Sequence, residues 1–376
     1  MRLPMTEALE AIADCFHPRE RITGIRSLGS GNVNETFLVT HEGRRESGAF
    51  VLQRLNRTVF ARPDLVMGNL LALGEHVQRR LQSPPPELQG RRWEVPQVLP
   101  SRQGAAAWVE QDGEVWRSIS YIGAATTTDV ITDRRQAHEV GYGLGMFHSL
   151  ISDLPVDALA DTLKDFHVTP SYLRRFDAVL REQTGLRPSA GLADAMAFVE
   201  ERRIGVDVLE AAVERGELHQ RPIHGDPKIN NVMMDEATGQ AVGLIDLDTV
   251  KPGLIHYDIG DCLRSCCNPL GEETRELDQV RFDLGLAESI LEGYLSVAAG
   301  FLSESDRAYL PDCIRLIPFE LGLRFLTDHL DGDRYFRTAF PGHNLQRAQV
   351  QFRLTLSIES QMEQIRRLID DLIGQA

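Results

Sequence analysis

The sequence predicts an α+β fold of two unequal lobes, a small antiparallel-sheet lobe followed by a large, mainly helical one. Its 376 residues exceed what a single hydrophobic core usually holds. Short apolar alternations broken by glycine fill the first part of the chain, and helical spacing dominates after Gly123. We therefore predict an N-terminal lobe over residues 1–118, a hinge at about 118–125 and a C-terminal lobe over 125–376.

Strand-like segments account for most of the N-terminal lobe. Between residues 22 and 55, apolar alternation interrupted by glycine is typical of an antiparallel hairpin sheet. Helical spacing from Leu65 to Leu81 predicts a helix that opens at Pro63. Three consecutive prolines at 84–86 predict a loop, because proline fits neither a helix interior nor a central strand. Further strands are predicted in the segments VPQVLPS, AAAWVEQDG and EVWRSISYI.

Helices make up most of the C-terminal lobe. Their spacing predicts them over residues 132–154, 170–184 and 192–215, and over nearly all of the chain from Asp283. Strand-like patterning returns only in the short segments PIHGD, NVMMDE and AVGLIDLD. The sequence has no internal repeat and no low-complexity tract. The motifs that indicate a function lie in these short strand-like segments.

The charge balance restricts the partners of the protein. Forty Lys and Arg against 55 Asp and Glu give a formal net charge of −15. A nucleic-acid-binding protein usually carries a basic surplus, and anionic lipid repels an acidic surface, so we expect neither nucleic acid nor membrane as a partner. A polyanionic small substrate is still compatible, because one arginine, a metal ion or a nest of amides can outweigh the mean field.

The sequence predicts neither a membrane helix nor a signal peptide. No run approaches the roughly 20 apolar residues that a membrane helix needs. Glu7, Glu10 and Asp14 occupy the stretch that a signal peptide would keep apolar. The five cysteines form no C-x-x-C pair and predict free, structural thiols in a reducing compartment. We therefore expect a cytoplasmic protein.

The segment from His224 to Asn231, HGDPKINN, carries the clearest chemical signal. Phosphoryl transfer needs a carboxylate that accepts the proton of the attacking hydroxyl, and oxygen ligands that hold Mg²⁺ on the phosphates. Asp226, followed five residues later by Asn231, supplies both from one loop. Asp246 comes at the end of a later strand-like segment and adds a second hard oxygen ligand.

This spacing is that of a kinase catalytic loop and its metal-binding Asp, written here as His-Gly-Asp and Ile-Asp. The alternative is a pair of Asx turns in a β-hairpin with solvated acids. The downstream Ile-Asp, bracketed by strand-like apolar residues, favours the chemical interpretation. Asp248 could support the metal site indirectly, by orienting the residues that bind the metal.

Residues Gly29 to Asn34, GSGNVN, join two predicted strands ahead of this loop. A glycine-rich hairpin lets backbone amides approach phosphate closely. Any hairpin can carry such a sequence, so the segment by itself is a weak signal. Its position before a catalytic loop favours a phosphate-binding role.

Taken together, the sequence resembles the aminoglycoside phosphotransferase and choline kinase superfamily of small-molecule kinases, and within it the N-acetylhexosamine 1-kinases. The catalytic and metal motif carries the superfamily resemblance. The stretches that carry the closer resemblance, between about residues 25 and 340, are GSGNVNETF, FVLQRLN, TVFARPDLVMGNL, LADTLKDFHVTPSYLRRFD, HGDPKINNVMMD, GLIDLDTVKPGLIHYDIGD and LGLRFLTDHLDGDRYF. The resemblance implies a protein-kinase-like fold with a nucleotide cleft between its lobes, ATP and Mg²⁺ as cofactors, and a small-molecule substrate.

Residue roles follow from the resemblance. It implies Asp226 as the catalytic base, in contact with the acceptor, and Asn231 and Asp246 as Mg²⁺ ligands. The Gly29–Asn34 segment would lie over the phosphates and near the sugar, and the backbone of 118–123 would bind adenine. The further expectations are nucleotide contacts at Gly29, Ser30, Gly31, Ser120 and Ile122, and acceptor contacts at Asn32, Asn34, Arg324 and Tyr335.

The third strand departs from the usual kinase pattern. Kinases place there a Lys that holds the α- and β-phosphates and pairs with a helix Glu. Here Gln53 stands at that position and Arg54 follows, while Glu75 is the acid of the next helix that could serve as the partner. Either Arg54 turns toward the nucleotide or Gln53 offers a neutral hydrogen bond, so both are expected nucleotide contacts. The related sugar kinases have a similar Gln-Arg pair.

Some candidates have structural alternatives. Arg324 follows Leu323 on a helix that Pro318 would open, where an arginine with a packed stem and a solvated head has the same pattern. Surface packing is the alternative for Tyr335. The residues outside the motifs that we expect to be structural or loop-bracing are His148, His167, His256, Asp258 and Asp261.

These observations predict an ATP- and Mg²⁺-dependent kinase of a sugar hydroxyl, with the anomeric hydroxyl of an N-acetylhexosamine as the favoured acceptor. The alternatives are another small acceptor, namely an aminoglycoside, choline, homoserine or methylthioribose, or a catalytically silent nucleotide-binding regulator, which the absent lysine would suit. The residues leave open the acceptor, the choice between ATP and GTP, and the oligomeric state.

Overall fold

A computed structural model describes residues 5–16, 21–29, 33–42, 47–183 and 188–375. It confirms the predicted α+β class, with an antiparallel sheet in the N-terminal part and helices in the C-terminal part. The sheet ends at Ser120, where the hinge is expected. The division into two lobes with the bounds given above stays a prediction.

The N-terminal sheet is antiparallel, with strand order β1-β2-β3-β6-β4 and β5 paired to β6 as well. Helix α1, Met5–Asp14, precedes it. The strands are β1 Arg21–Ser27, β2 Glu35–Glu42, β3 Ser47–Arg54, β4 Val98–Leu99, β5 Trp108–Val109 and β6 Val115–Ser120. They confirm the predicted strand segments, although two of them are only two residues long.

The two faces of this sheet differ in chemistry because side chains alternate along each strand. One face buries Phe50, Leu52 and Trp116 against Ile12 of α1. On the other face, Thr36, Gln53 and Arg117 stand opposite one another on β2, β3 and β6. The polar row therefore faces away from the small apolar cluster.

Helix α2, Pro63–Leu81, follows the sheet and begins at the predicted proline. It buries an apolar stripe that includes Val66, Leu70 and Leu73. Asn69 ties it to the C-terminal part, since its Nδ2 lies 2.9 Å from the carbonyl oxygens of Ala160 and Val250. Helix α2 is thus joined to the C-terminal part by hydrogen bonds as well as by apolar packing.

The C-terminal part is mainly helical, as predicted. Its helices are α3 Arg134–Ile151, α4 Thr169–Glu182, α5 Ala190–Glu201, α6 Val208–Glu214, α7 Ile255–Cys266, α8 Leu284–Ala298, α9 Glu304–Ala308, α10 Leu310–Leu330, α11 His343–Ser360 and α12 Met362–Gln375. The five cysteines are free and buried, as expected. Among the described residues, the helices are too short or too polar to cross a membrane.

The helix that carries Arg324 begins at Leu310, so the prediction that Pro318 opens it is wrong. Pro311 occupies the first turn, where a missing N–H costs nothing. Pro318 lies inside the helix and leaves the Ile314 carbonyl without its helical donor, at a cost of about 3 kcal/mol. The helix is buried along most of its length, and this packing offsets the loss.

Five short strands interrupt the helices and carry the motif segments. They are β7 Ala125–Thr126, β8 Arg221–Ile223, β9 Val232–Asp235, β10 Ala241–Leu244 and β11 Lys251–Gly253. β9 pairs with β10 and β7, and β8 pairs with β11, in each case antiparallel. The predicted catalytic loop therefore lies between two separate strand pairs.

Helices α3 and α8 pack with their backbones in close contact. A Cβ on Gly141 would lie 1.8 Å from the Ile290 carbonyl oxygen, and one on Gly293 would lie 2.0 Å from that of His138. Only glycine permits this approach, which brings α3 onto α8 beneath the β9–β10 pair.

We predict that Gly141→Ala lowers the free energy of unfolding by at least about 2 kcal/mol, because a methyl group must push two helix backbones apart. Urea denaturation followed by circular dichroism measures this. Gly68→Ala in α2 is the matched control, because its Cβ has open space and should stabilise the protein by about 0.5–1 kcal/mol. Equal effects of the two substitutions would contradict the packing argument.

Candidate active site

Two antiparallel strands bring the metal-motif residues together. β9 begins directly after Asn231, and Leu244 at the end of β10 pairs with Val232. The backbone N–H of Ile245 donates to the Asn231 carbonyl at 2.9 Å. Asp246 follows at once, so Asn231 and Asp246 lie side by side at the end of this hairpin.

Asp226 lies in the loop between β8 and β9 and reaches the same place. Asn231 Nδ2 donates to the Asp226 carbonyl oxygen at 2.7 Å and lies 3.4 Å from its Oδ2. The structure thus brings together the three residues that the motif spacing singled out. The Asp226 side chain keeps about a quarter of its surface exposed, so an acceptor can reach it.

Lys228 joins this group, although its role was not predicted. Its Nζ donates to Asp226 Oδ2 at 2.8 Å. Burial disfavours its charge, but the carboxylates of Asp226 and Asp246 outweigh burial and raise the pKa of Lys228. The signal that could have found it is its spacing, two residues after Asp226.

Asp246 adopts a left-handed backbone conformation with φ of 62°, which Asp tolerates better than most residues. Its side chain is exposed, and no described residue donates a hydrogen bond to its carboxylate. Crowding by protein nevertheless raises the pKa of this carboxyl to about 6, with repulsion from Asp248 and Asp226 adding to the effect. A cation beside Asp246 would relieve that repulsion.

The donor set fits Mg²⁺. Asn231 uses its amide N–H on Asp226, which leaves Oδ1 without a donor among the described residues, and the Asp246 carboxylate is likewise uncommitted. No group of three or more His, Cys, Asp and Glu side chains in the described ranges could hold a metal ion. Two protein oxygens suit Mg²⁺, which usually completes its shell with water and substrate phosphates.

Asp258 of α7 fixes the backbone of the catalytic loop. Its Oδ1 accepts from the Gly225 N–H at 2.8 Å, and its Oδ2 accepts from the His224 N–H at 2.6 Å. His148 Nε2 lies 2.8 Å from the same Oδ2, and all of these groups are buried. Asp258 thus has the loop-bracing role expected for it, and His148 is structural as predicted.

His224 links the two halves of the site. Its Nδ1 accepts from the Asp226 N–H at 3.2 Å, so its Nε2 is the protonated nitrogen and donates to the Ile245 carbonyl at 3.0 Å. Burial lowers the pKa of His224, in keeping with a neutral ring. The loop of Asp226 and the strand end before Asp246 are therefore held by one side chain.

A buried cation lies behind the Asp246 segment. Arg117 of β6, only 2 % exposed, forms an ion pair with Asp248 and donates from Nε and Nη2 to Gln53 Oε1, at 2.9 and 2.7 Å. Asn34 Nδ2 donates to the other oxygen of Asp248 at 2.6 Å. Sequence reasoning missed Arg117, because nothing in a strand of mixed residues marks one arginine as buried.

Only some of the ligand contacts expected in the N-terminal part lie among the described residues. Gly29 has the positive φ of 73° that a tight turn requires, while Ser30, Gly31 and Asn32 lie outside the described residues. Gln53 donates to Thr36 Oγ1 as well as accepting from Arg117.

The remaining N-terminal candidates are engaged with protein groups. Arg54 lies on the opposite face of the sheet from Gln53, paired with Glu35 and Glu114. Asn34 is committed to Asp248 and to the Asn56 N–H. Ligand contacts at Asn34, Gln53 and Arg54 stay predictions.

At the end of β6, Ile122 lies in a small buried apolar cluster with Met233 and Val242, against which Ile245 packs. No described residue hydrogen-bonds to the backbone of Ile122. Ser120, by contrast, exchanges hydrogen bonds with Gln97 through both its backbone N–H and its hydroxyl. The apolar cluster leads directly to the Asp246 segment.

Arg324 of α10 lies in a cage of three aromatic rings. Its guanidinium carbon is 5.1, 5.0 and 5.6 Å from the ring centres of Phe166, Tyr172 and Phe336. No described residue accepts a hydrogen bond from it, and Glu320 Oε1 is 4.0 Å from its Nη1. Arg324 therefore has N–H donors that no described residue uses. The predicted alternative, a guanidinium solvated by water, does not account for them, because the side chain is only 13 % exposed.

Tyr335 lies beside this cage and is 64 % exposed. Its ring is 4.8 Å from that of Phe336, the ring whose centre lies 5.6 Å from the Arg324 guanidinium carbon. Asp328 holds this segment, because it accepts from the backbone N–H groups of residues 334–336 and from Asn344. Sequence reasoning missed Asp328, whose partners are mostly backbone groups.

His167 connects this cage with the catalytic loop. Its Nδ1 faces Glu320 Oε1 at 3.0 Å and its Nε2 faces the Gly225 carbonyl at 2.9 Å. A carboxylate and a carbonyl oxygen both accept, so this pair of partners suits an imidazolium with a proton on each ring nitrogen. Burial alone would lower the pKa of His167, but the Glu320 carboxylate outweighs it and the pKa is raised.

A cavity of about 810 Å³ is lined by Phe166, which also belongs to the cage of Arg324, and by Tyr257, but by none of the predicted site residues. Glu210 on its wall accepts from the Tyr257 hydroxyl at 2.8 Å, and burial raises the pKa of Glu210 to about 7. The candidate site is therefore the cleft around Asp226 rather than this cavity.

Comparison with known families and structures agrees with this geometry. Residues 24–294 match the phosphotransferase enzyme family, known as APH. That range contains Asp226, Asn231 and Asp246, together with the glycine-rich segment.

Solved structures show the same fold at low identity. An aminoglycoside phosphotransferase from Alicyclobacillus acidocaldarius is 16% identical, with a TM-score of 0.58 over 99% of this chain and 97% of that one. A microcompartment-associated aminopropanol kinase is 18% identical, with a TM-score of 0.58 over 95% and 98%. A choline kinase from Cryptosporidium parvum is 13% identical, with a TM-score of 0.59 over 98% and 99%.

We predict that His167→Gln destabilises the protein by about 2 kcal/mol at pH 6, the usual size for hydrogen bonds to a charged group. The folded-state pKa of His167 is raised, so its contribution is complete below about pH 6.5 and disappears as pH rises through the folded-state value. Urea denaturation at pH 6 and pH 9.5 should show a shrinking difference from the wild type. His256→Gln is the control, because the pKa of His256 is lowered by burial and its difference should not shrink. A difference for His167→Gln that stays constant with pH would contradict the imidazolium.

Proposed function

We propose that this chain, which belongs to the phosphotransferase enzyme family, is an ATP- and Mg²⁺-dependent kinase that phosphorylates the anomeric hydroxyl of an N-acetylhexosamine. Transfer to a hydroxyl of a small molecule is the coarser part of the proposal and follows from the family. The sugar and the position phosphorylated are the finer part, and they rest on the acceptor side of the cleft.

The observation that carries the proposal is the convergence of Asp226, Lys228, Asn231 and Asp246. A base, a cation and two uncommitted metal-ligand oxygens meet at one place, which is what phosphoryl transfer needs. A hairpin with solvated acids would not require the buried Asp258 and His224 to fix the loop. The Asx-turn alternative therefore does not account for the site.

In the proposed reaction, Asp226 orients the acceptor hydroxyl and takes its proton as the oxygen attacks the γ-phosphorus in line. Asn231 and Asp246 would hold Mg²⁺, which supplies charge neutralisation on the phosphates when bound. Lys228 donates to the Asp226 carboxylate and places its own charge where negative charge builds up on the transferred group. The bond from the γ-phosphorus to the leaving ADP oxygen breaks as the new P–O bond forms.

In this proposal the nucleotide base would pack against an apolar surface. The cluster of Ile122, Met233 and Val242, with Ile245 packed against it, lies at the end of β6 and next to Asp246. The free backbone groups of Ile122 suit hydrogen bonds to adenine, whereas those of Ser120 are partly used by Gln97. We therefore favour Ile122 over Ser120 as the contact with the base.

The charge of the acceptor side supports a neutral sugar. Arg324 offers unused N–H donors, which suit hydroxyl and acetamido oxygens, and Tyr335 offers an exposed ring. The solved relatives named above act on an aminoglycoside, an aminopropanol or choline, whose amino or ammonium groups a guanidinium would repel. Such acceptors, together with homoserine and methylthioribose, remain the alternatives, and a silent nucleotide-binding regulator is the alternative from another class.

We predict that ADP release, measured in a coupled assay with ATP and Mg²⁺, is stimulated by N-acetylglucosamine or N-acetylgalactosamine more than by kanamycin, choline, homoserine or methylthioribose. Asp226→Asn should lower kcat at least about 100-fold, because the base is lost while the shape is kept. Release stimulated only by an amine acceptor would overturn the sugar assignment. ATP binding without release for any acceptor would favour the silent regulator.

We predict that Arg324→Gln raises the KM for the N-acetylhexosamine at least about tenfold, the loss expected for one or two hydrogen bonds to a charged group, and leaves the KM for ATP within about twofold. Initial-rate kinetics with each substrate varied give both values. Arg334→Gln is the matched control, because this neighbouring side chain is 77 % exposed and only approaches Asp331. An unchanged sugar KM in Arg324→Gln would remove Arg324 from the acceptor site.

A further inference from the structure

We propose that Arg117 takes over the structural part of the absent strand lysine and positions the metal-binding Asp246 by holding Asp248. The inference rests on the proposed function, since it concerns the same Mg²⁺ site. Arg117 is a positioning residue here, because its guanidinium contacts protein groups only.

The contacts of Asp248 carry the argument. Both of its oxygens are held by residues of the N-terminal part, Oδ1 by Arg117 of β6 and Oδ2 by Asn34 before β2. The ion pair is dry, with side-chain exposures of 2 % for Arg117 and 1 % for Asp248. This anchored carboxylate lies only two positions after Asp246 along the chain, with Leu247 between them.

Asp246 has no anchor of its own. No described residue hydrogen-bonds to its side chain, and its backbone is in the left-handed region. Its position therefore depends on its two flanks, which are the Ile245 backbone held by Asn231 and His224, and the Leu247–Thr249 turn that contains Asp248. Thr249 Oγ1 also ties the second flank to the His224 carbonyl at 2.8 Å, so releasing Asp248 would loosen that flank without freeing it.

The same contacts explain why Gln53 stands where a kinase lysine is expected. Gln53 Oε1 accepts two N–H groups of Arg117, and its Nε2 donates to Thr36. A lysine has no acceptor and would bring a second cation against the buried guanidinium. Glutamine therefore suits Arg117 as a partner. The cation that kinases usually carry on the third strand is here carried by the neighbouring strand β6.

The acidic partner of Arg117 also differs from that of the usual kinase lysine. The kinase lysine pairs with a helix glutamate, whereas Arg117 pairs with a residue of the metal-binding segment itself. The sheet is thereby coupled directly to Asp246 rather than through α2. Groups that orient metal ligands typically contribute 10–100-fold to metal affinity.

The experiment measures Mg²⁺-dependent binding of ADP by isothermal titration calorimetry, with no acceptor present. The affinity for ADP should increase with Mg²⁺ concentration. We expect Arg117→Met to raise the Mg²⁺ concentration at which half of that increase is reached by at least about tenfold. Arg117→Lys should recover part of this loss, since one N–H group can still reach Asp248. Gln53→Lys should impair Mg²⁺ binding rather than restore a kinase lysine. Asp248→Asn is the milder variant if Arg117→Met does not fold.

Arg91→Met is the matched control. Arg91 and Glu139 form another buried ion pair, and Glu139 also accepts from a backbone N–H, that of Ala241. Loss of that pair should lower stability while leaving the Mg²⁺ requirement within about twofold of the wild type. Urea denaturation of both variants separates lost stability from lost metal positioning.

The outcomes separate this inference from the proposed function. Equal Mg²⁺ requirements in Arg117→Met, Arg91→Met and the wild type would overturn the inference, as would a gain in Mg²⁺ affinity in Gln53→Lys. If Mg²⁺-dependent ADP binding depends on Arg117 but no acceptor stimulates ADP release, this inference stands and the kinase proposal fails.

Discussion

Four buried carboxylates organise the cleft, because a charge removed from water needs hydrogen-bond donors on both oxygens. Asp258 holds the backbone of the catalytic loop, and Asp248 holds the sheet against the Asp246 segment. Glu320 holds His167 and Thr169, and Asp328 holds the loop of Tyr335. Each wall of the site is therefore fixed by one acid that is itself unavailable for chemistry, and the reactive carboxylates Asp226 and Asp246 are the ones left open.

Four cations lie among the acids of the site. The protein carries a formal charge of −15, yet Arg117, Lys228, His167 and Arg324 surround the cleft with cations. Three of these four are largely buried, so solvent screens them weakly. Three of the four are paired with carboxylates, namely Asp248, Asp226 and Glu320, whereas Arg324 comes no closer than 4.0 Å to Glu320, so its charge is the one left for a ligand.

Local pattern and spacing were enough to predict the sheet, most helices and the trio of Asp226, Asn231 and Asp246. The trio could be predicted because its members come from one loop and one hairpin, where chain spacing fixes their separation. Arg117 could not, because its partners lie 64 and 131 residues away and its burial depends on both. The start of the α10 helix was wrong for a related reason, since burial by other elements decides whether an interior proline is tolerated.

The clamp on Asp248 also bears on how fast the protein can turn over. Together with the hydrogen bonds from Asn69 of α2 to Ala160 and Val250, it fastens the N-terminal part to the helical part. Wide opening would expose a dry ion pair and leave its charges unpaired, which is costly. In the kinase proposed above, spent nucleotide would leave beside this clamp, which makes the departure of ADP the step that the clamp would slow.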